Sequence, residues 1–238
     1  MDISRSLSFK KEKSNKLAVP TTFEKEQSIG YLYLDLDNII YLESDSNYTN
    51  IYTNEKKITA SKTLGYFEKE LTDKSFFRIH ASYIINLQKL VRYKKGIEQP
   101  TVILVNGAEI SVSRSKKKIF ENLKTNRLPI IFKDEYVYID LDSVLYIESV
   151  GNFENEDEYC RTNVYLTDAA PLVSTKGISF FETLLIDEPF FRIRNNCMVN
   201  LTKVIKYYKG RDTYITLDTG MSLTVSESKK SEFLQLFK

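Results

Sequence analysis

The chain has 238 residues, a net charge of +2, 42% hydrophobic and 28% charged residues, and no tryptophan. No apolar run approaches the ~18 residues of a membrane-spanning helix, and the Lys-rich N-terminus lacks the hydrophobic region of a secretory signal, so we expect a cytoplasmic protein. His80 is the only histidine, and neither a P-loop nor a GxGxxG motif occurs. We therefore expect no cofactor and no enzymatic activity.

The first predicted elements are a tail and a series of strands. Residues 1–22 are polar, basic and without periodicity, and we expect a flexible tail there. Short segments rich in Val, Ile, Tyr and Thr follow, and these are typical of strands. The predicted strands cover residues 31–36, 39–42, 48–53, 58–60, 84–93, 101–105 and 109–112. Asn106-Gly107 is a strong signal for a hairpin turn between the last two.

Two segments instead have the period of a helix. Leu64, Phe67 and Leu71 fall on one face of a short helix predicted over residues 63–71, with Thr63 as its N-cap. A second helix is predicted over residues 113–123, where Ser113 precedes a run of Lys residues. We interpret the apolar stripe of the first helix as a core contact.

The sequence then repeats itself. Residues 76–96 and 190–210 are identical at ten of 21 positions, and a similar helical stripe recurs at Ile178, Phe181 and Leu185. Self-similarity of this length indicates duplicated domains. We predict two tandem domains, residues 23–126 and 127–238, in a β-rich α+β class. Each domain should contain short, mostly antiparallel sheets and two short helices.

The two halves differ in charge. Through Arg127 the chain has 22 Lys and Arg residues against 15 Asp and Glu residues, a net charge of +7. The remainder has 12 against 17, a net charge of −5. Such an asymmetry indicates a partner that prefers the first copy, and double-stranded DNA is the obvious polyanion. Ordinary variation between domains explains the charge alone equally well.

Polar segments of the first copy fall where strands end or helices begin. They are residues 46–49, 61–62, 80–83 and 113–117. Lys, Ser and backbone N–H groups at a helix start hold phosphates. Arg binds guanine edges bidentately, and Asn or His reaches other base edges. Their joint placement predicts one shared surface for DNA.

The order of these segments and of the elements between them is similar to that of a known domain family. The succession YLESxxNY, SKxLxxFE, FFRIHxSYIxNL, an NG hairpin and SVSRSKKK closely resembles the LytTR-type DNA-binding domain of bacterial response regulators. The resemblance implies loops, rather than a recognition helix, inserted in successive major grooves, usually at direct-repeat promoter sites. It implies base contacts in the first copy from Asn47, Tyr48, Thr49, His80, Ser82 and Arg114. The implied phosphate contacts are Lys62, Arg78, Ser113, Lys116, Lys117 and Lys118, although Arg78 is alternatively a brace for its loop.

In the second copy the resemblance implies weaker or different reading of DNA. The corresponding residues are Asn152, Lys176, Arg192, Arg194, Asn195, Asn196 and Lys229. Glu227 stands where Arg114 stands in the first copy, and Asn152 leads into an acidic stretch over residues 154–158. A carboxylate that faces phosphates is repulsive, although Glu can accept a hydrogen bond from cytosine.

Three functions follow in order of preference. The first is a sequence-specific transcriptional regulator, with the transcription machinery or a sensor protein in trans as further partners. The second is a protein-interaction module formed by the second copy or by both. The third is a metal-dependent nuclease. It ranks far below the other two, because nothing in the sequence forces carboxylates to converge beside a Lys. The oligomeric state is left open.

Overall fold

The computed structural model describes residues 15–23, 28–72, 75–96, 99–121, 123, 127–151, 161–210 and 213–236. The chain forms two compact units. The first comprises Met1–Val91 with Gly96–Thr125, and the second comprises Asn126–Lys238 with the short segment Arg92–Lys95. Every strand pair within the described residues is antiparallel. The predicted β-rich class with two tandem domains is confirmed.

The elements of the first copy are ten strands and two helices within the described residues. In chain order they are β1 (Lys16–Phe23), β2 (Ser28–Asp35), β3 (Ile39–Asp45), β4 (Tyr48–Thr53), β5 (Lys57–Ala60), α1 (Leu64–Glu70), β6 (Phe76–His80), β7 (Tyr83–Asn86), β8 (Leu90–Lys94), β9 (Thr101–Leu104), β10 (Glu109–Ser111) and α2 (Arg114–Glu121). β1 and β2 form a hairpin, and the central sheet has the order β5-β4-β3-β7-β6. β9 pairs with β10 across the predicted Asn106-Gly107 turn, where Gly107 has φ +82°.

The second copy has the same succession. In chain order its elements are β11 (Arg127–Ile131), β12 (Glu135–Asp140), β13 (Val144–Val150), β14 (Arg161–Leu166), β15 (Leu172–Ser174), α3 (Ile178–Leu184), β16 (Phe190–Arg194), β17 (Cys197–Asn200), β18 (Val204–Tyr208), β19 (Tyr214–Leu217), β20 (Ser222–Thr224) and α4 (Glu227–Gln235). Its central sheet has the order β15-β14-β13-β17-β16, and a three-stranded sheet has the order β18-β19-β20.

Helix α1 covers the core of the first unit. The predicted stripe is confirmed, because Leu64, Phe67 and Leu71 are buried against strands of the central sheet. The stripe of α3 is buried in the same way. Thr63 stands at the N-cap of α1, but its side chain makes no capping hydrogen bond. Burial of the apolar face therefore holds this seven-residue helix in place, as expected for a helix too short to be stable alone.

The expected tail over residues 1–22 is wrong for residues 16–22, which form β1. Leu17 and Val19 alternate with less buried neighbours and lie in the core of the first unit. Pro20 is tolerated because β1 is an edge strand, and its carbonyl accepts a hydrogen bond from the Ser61 N–H at 3.0 Å. Alternation interrupted by Pro and flanked by Lys does not stand out as a strand pattern, so the sequence alone predicts a tail there.

The single strand predicted over residues 84–93 is also wrong, because a 3-10 turn at Leu87–Lys89 divides it into β7 and β8. Asn86 causes the division. Its buried side chain accepts a hydrogen bond from the Gln88 N–H at 3.0 Å and donates one to the Ile39 carbonyl at 2.9 Å. Asn200 repeats both bonds in the second copy, with Thr202 and Val144. The Asn-Leu pair shared by the two copies is thus a structural corner.

Candidate nucleic-acid interface

Two turns of the first copy are joined by a backbone hydrogen bond. The Ser44 N–H, at the end of β3, donates to the Ser82 carbonyl at 2.9 Å in the β6–β7 turn. The β3–β4 turn contains Ser46, whose φ of +54° lies in the left-handed region. Asn47 and Tyr48 are exposed at this turn. Two of the segments implicated by the sequence therefore lie side by side.

Thr49 does not belong to this surface. Its side chain is fully buried, and its hydroxyl donates a hydrogen bond to the Lys62 carbonyl at 2.8 Å. The role expected for Thr49 in base reading is corrected: this residue positions the backbone before α1. Lys62 itself is exposed, with its Nζ 5.6 Å from the centre of the Tyr66 ring. The ammonium group thus lies near the face of this ring while the side chain stays exposed to solvent.

Arg78 braces the β6–β7 turn. Its guanidinium pairs with the Glu68 carboxylate of α1 and donates a hydrogen bond to the Ala81 carbonyl at 2.7 Å. Its planar fork satisfies both partners at once, which a lysine could not do. Since its charge is already paired, the geometry favours the brace over the phosphate contact.

His80 has a defined tautomer in the same turn. Its Nδ1 accepts a hydrogen bond from the Ser82 N–H at 3.2 Å. Nδ1 must therefore be unprotonated, so Nε2 carries the proton and is a hydrogen-bond donor. A base edge that offers an acceptor, such as N7 or O6 of guanine, suits such a donor.

The start of α2 lies beside this turn. The Ser113 N–H donates to the Ile79 carbonyl at 3.0 Å, and the Ser113 carbonyl accepts from the Lys116 N–H at 2.9 Å. A groove of about 390 Å³ results, which we call the loop groove. It is lined by Glu68, Arg78, His80, Ala81, Ser113, Ser115 and Lys116. The segments 80–83 and 113–117 implicated by the sequence thus meet at one site.

Four cations lie within the first five residues of α2. Arg114 and Lys118 are exposed, and Lys116 and Lys117 are half-buried. The Lys116 Nζ lies 5.9 Å from the centre of the Phe77 ring. Within the described residues none of the four forms an ion pair. Their charge is therefore available to an external anion.

The second copy repeats this frame. The Ser149 N–H donates to the Asn196 carbonyl at 2.8 Å, and the Ser226 N–H donates to the Ile193 carbonyl at 2.9 Å. Arg192 pairs with Glu182 at 2.6 Å, and its Nε donates to the Asn195 carbonyl at 3.1 Å. Arg192 is therefore a brace like Arg78.

The second copy differs in that three further cations are paired with carboxylates. Arg194 pairs with Glu148 at 3.0 Å, Lys229 pairs with Glu232 at 2.8 Å, and Lys230 pairs with Glu227. Of the other residues implicated by the sequence, Lys176 and Asn195 are exposed and Asn196 is half-buried. The surface equivalent to the loop groove therefore presents less free positive charge.

A coupled replacement explains why Arg194 is paired. In the first copy the Glu43 carboxylate accepts hydrogen bonds from the Tyr52 and Tyr83 hydroxyls, both at 2.8 Å. The bond to Glu43 raises the pKa of Tyr83. In the second copy Cys197 replaces Tyr83, and the equivalent carboxylate takes Arg194 instead. This pairing was not predicted from the sequence, although the joint change of His80 to Arg194 and Tyr83 to Cys197 signals it.

Several expectations fall outside the described residues. These are the roles of Asn152 and of the acidic stretch over residues 154–158. Among the residues that the structure does describe, no cluster of three or more His, Cys, Asp or Glu side chains could hold a metal ion. No helix in that part of the chain combines the length and apolar character needed to cross a membrane.

The fold and the groove define a class, a β-rich domain that gathers loops and a cationic helix start on one surface, as loop-based DNA-binding domains do. The sequence profile of the LytTr DNA-binding domain family matches residues 30–125 and again 134–238. The chain belongs to this family and contains two of its domains, so the resemblance seen in the sequence is confirmed.

Curated relatives match one such domain. Transcriptional regulatory protein LytR of Staphylococcus aureus is 35% identical over 89 residues, which are 37% of this chain and 36% of LytR. Sensory transduction protein LytT of Bacillus subtilis is 30% identical over 91 residues, 38% of each chain. The match thus spans little more than a third of either relative. A LytTr DNA-binding domain from Bacillus cereus aligns with 24% identity and a TM-score of 0.39, covering 45% of this chain and 94% of that domain.

Proposed function

We propose that this chain is a transcriptional regulator that binds double-stranded promoter DNA sequence-specifically, with the first copy as its main reader. The observation that carries the proposal is the set of four cations in the first five residues of α2, which form no ion pair within the described residues and begin beside the loop groove. Membership of the LytTr DNA-binding domain family supports it.

Base contacts are assigned to exposed or half-buried polar groups on the two joined turns and at the helix start. Arg114 is the best candidate, because a guanidinium binds the O6 and N7 of guanine bidentately. His80 offers its Nε2 proton to an acceptor, and Asn47 has both donor and acceptor groups. Tyr48 and Ser82 complete the set.

Phosphate contacts are assigned to exposed or half-buried cations. They are Lys62, Lys116, Lys117 and Lys118, together with the Ser113 hydroxyl. These contacts fix the register of the protein on DNA and carry most of the salt dependence. Arg78 belongs to neither set and holds the β6–β7 turn in position.

The two copies suit two half-sites in direct repeat, each read by loops in a major groove. One chain that covers both half-sites gains affinity, because the second contact is intramolecular. The second copy contributes less, since Arg194, Lys229 and Lys230 are engaged by carboxylates. The same neutralisation favours a second candidate function for that copy, a surface for a protein partner such as the transcription machinery or a sensor.

Selection of bound sequences from random DNA with the full chain tests the proposal, followed by fluorescence anisotropy on the selected site at several salt concentrations. We expect a plot of log affinity against log salt with a slope of about −3 to −4, from four phosphate contacts. Enrichment of two similar half-sites in direct repeat would support the arrangement. Failure to bind any fragment at low salt would refute DNA binding.

A further inference from the structure

The first hairpin is β1–β2 in the first copy and β11–β12 in the second copy. The two hairpins differ in what covers their outer edge. In the second unit the segment Arg92–Lys95 pairs antiparallel with β12, placing Lys94 opposite Glu135 and Tyr93 opposite Tyr136. The rings of that tyrosine pair are 5.6 Å apart, and the Lys95 Nζ lies 4.8 Å from the centre of the Tyr136 ring. Tyr93 is fully buried in this arrangement. The outer edge of β12 is therefore closed.

The equivalent edge in the first unit is open. β2 corresponds to β12, with Tyr31 and Tyr33 in the places of Tyr136 and Tyr138. Within the described residues, however, its sheet consists of β1 and β2 alone. Tyr31 is 57% exposed and Tyr33 is 66% exposed, whereas Tyr138 is only 9% exposed. An uncovered edge strand with large apolar side chains is a template for another strand.

The strand that matches this edge lies in the second copy. When the two copies are aligned, residues 206–209 correspond to residues 92–95. Residues 206–208 lie in β18, and residue 209 follows it. β18 is the outer strand of its three-stranded sheet in the part of the chain that is described. Ile205 is 56% exposed and Tyr208 is 42% exposed, and the buried Tyr207 hydroxyl has no hydrogen-bond partner among the described residues. This edge is open too.

We propose that β18 of one molecule adds to β2 of a second copy of the chain, in the register that residues 92–95 use on β12. Tyr207 then lies opposite Tyr31, Lys206 lies opposite Leu32, and the next pair is Ile205 with Tyr33. Lys209 takes the place of Lys95 over a tyrosine ring. Main-chain hydrogen bonds supply affinity, and the aromatic pairs set the register.

Charge supports the same pairing and limits its strength. The two halves of the chain have net charges of +7 and −5, so the half that carries β2 in one molecule attracts the half that carries β18 in another. In the second unit Arg92 also pairs with Glu135 at 2.9 Å. Gly30 occupies the place of Glu135 in the first copy, so the intermolecular edge lacks this ion pair and is the weaker of the two.

The two edges are different surfaces, so the interface is heterologous. Each molecule in such a head-to-tail contact keeps one edge free, and assembly continues unless the rotation closes a ring. A symmetric dimer, in which the same patch meets itself, is not expected. This difference gives the proposal a sharp test, which needs no DNA and is therefore independent of the proposed function.

The test is sedimentation velocity of the full chain without DNA, from about 1 µM to about 300 µM, a range suited to weak interfaces. Tyr33→Lys blocks the edge of β2, and Ile205→Lys blocks the edge of β18. Both replace exposed side chains. Val173→Lys is the matched control, because Val173 is 42% exposed on β15, the outer strand of another sheet.

We expect the wild-type chain and Val173→Lys to increase in mass with concentration, and each blocked variant to stay at 27.7 kDa. An equimolar mixture of the blocked variants should give a complex of two chains and nothing larger, because each keeps the edge that the other lacks. That recovery also shows that both variants are folded. A wild-type chain that stays monomeric throughout, or folded variants that form no complex when mixed, would overturn the proposal.

Discussion

The Arg194 guanidinium lies 3.0 Å from the Glu148 carboxylate, on the turn where the first copy presents His80. The pair is possible because Cys197 replaces the tyrosine that occupies the equivalent carboxylate in the first copy. One turn is thus kept in the same frame, with a histidine in one copy and an ion-paired arginine in the other.

Glu227→Arg should strengthen DNA binding by the full chain. The change places an arginine where the first copy has Arg114 and removes the carboxylate that pairs with Lys230. We expect the slope of log affinity against log salt to become steeper by roughly one. Anisotropy on the selected site measures it. Glu188→Arg is the control, since it makes the same charge change before β16, at the opposite end of that strand from Arg194; an equal gain there would show a non-specific effect.

Arg114→Ala should lose about 1–3 kcal/mol of binding free energy on the selected site and relax its preference at one base pair. Anisotropy on the selected site and on single-base variants measures both effects. Lys118→Ala, a nearby exposed cation, should instead weaken binding to all sequences alike. If Arg114→Ala weakened specific and random DNA equally, Arg114 would be a phosphate contact only.

Arg78→Lys separates a brace from a phosphate contact. Lysine keeps the charge but cannot hold Glu68 and the Ala81 carbonyl together, so we expect a roughly 5- to 30-fold loss of affinity, from about 1–2 kcal/mol of charge-assisted hydrogen bonding. The salt slope should not change. Glu68→Gln should reproduce part of the loss although it removes a negative charge. Wild-type affinity in Arg78→Lys would assign Arg78 to the phosphates instead.

Asn86→Ala should destabilise the fold by about 2–3 kcal/mol, because it leaves the Ile39 carbonyl and the Gln88 N–H without their buried partner. Urea unfolding followed by circular dichroism measures the change. The exposed Asn54→Ala is the control and should stay within about 0.5 kcal/mol of wild type. A similar loss of stability in both variants would show that the Asn86 hydrogen bonds have no special role in the fold.

Cys197 should resist alkylation in the native protein. Burial raises the pKa of its thiol to about 11 from the ordinary 9.0, so the reactive thiolate is scarce at pH 8.5. The unfolded chain loses this proton first, so the thiol's contribution to stability is complete below pH 9 and declines as the pH rises from 9 towards 11. Iodoacetamide labelling read by peptide mass spectrometry, with urea-unfolded protein as reference, checks the reactivity. Equal labelling in both states would contradict it.

The strands and helices were largely predictable because burial imposes period on sequence. The spacing of Leu64, Phe67 and Leu71 predicts α1, and Asn106-Gly107 predicts a hairpin. β1 was not predictable in the same way, because Pro20 and flanking lysines hide the alternation of Leu17 and Val19. The corner at Asn86 was equally hidden, since a buried side chain that caps a 3-10 turn leaves no periodic trace.

The site was predictable in its segments but not in its roles. Sequence placed residues 46–49, 80–83 and 113–117 at element ends, and the fold brings the last two to one groove. Which side chains face solvent depends on partners distant in sequence. The Thr49 side chain points inward and donates a hydrogen bond to the Lys62 carbonyl. Arg78 forms an ion pair with Glu68, which α1 places beside it.

The hydrogen bond from the Ser61 N–H to the Pro20 carbonyl bears on how such domains are copied and exchanged. It ties the backbone next to Lys62 to a strand that lies upstream of the family match, which starts at residue 30. A gene fusion joined at residue 30 would discard Leu17 and Val19 and leave this backbone unsupported. The folded unit of the first copy is therefore longer than the matched segment, because it includes β1.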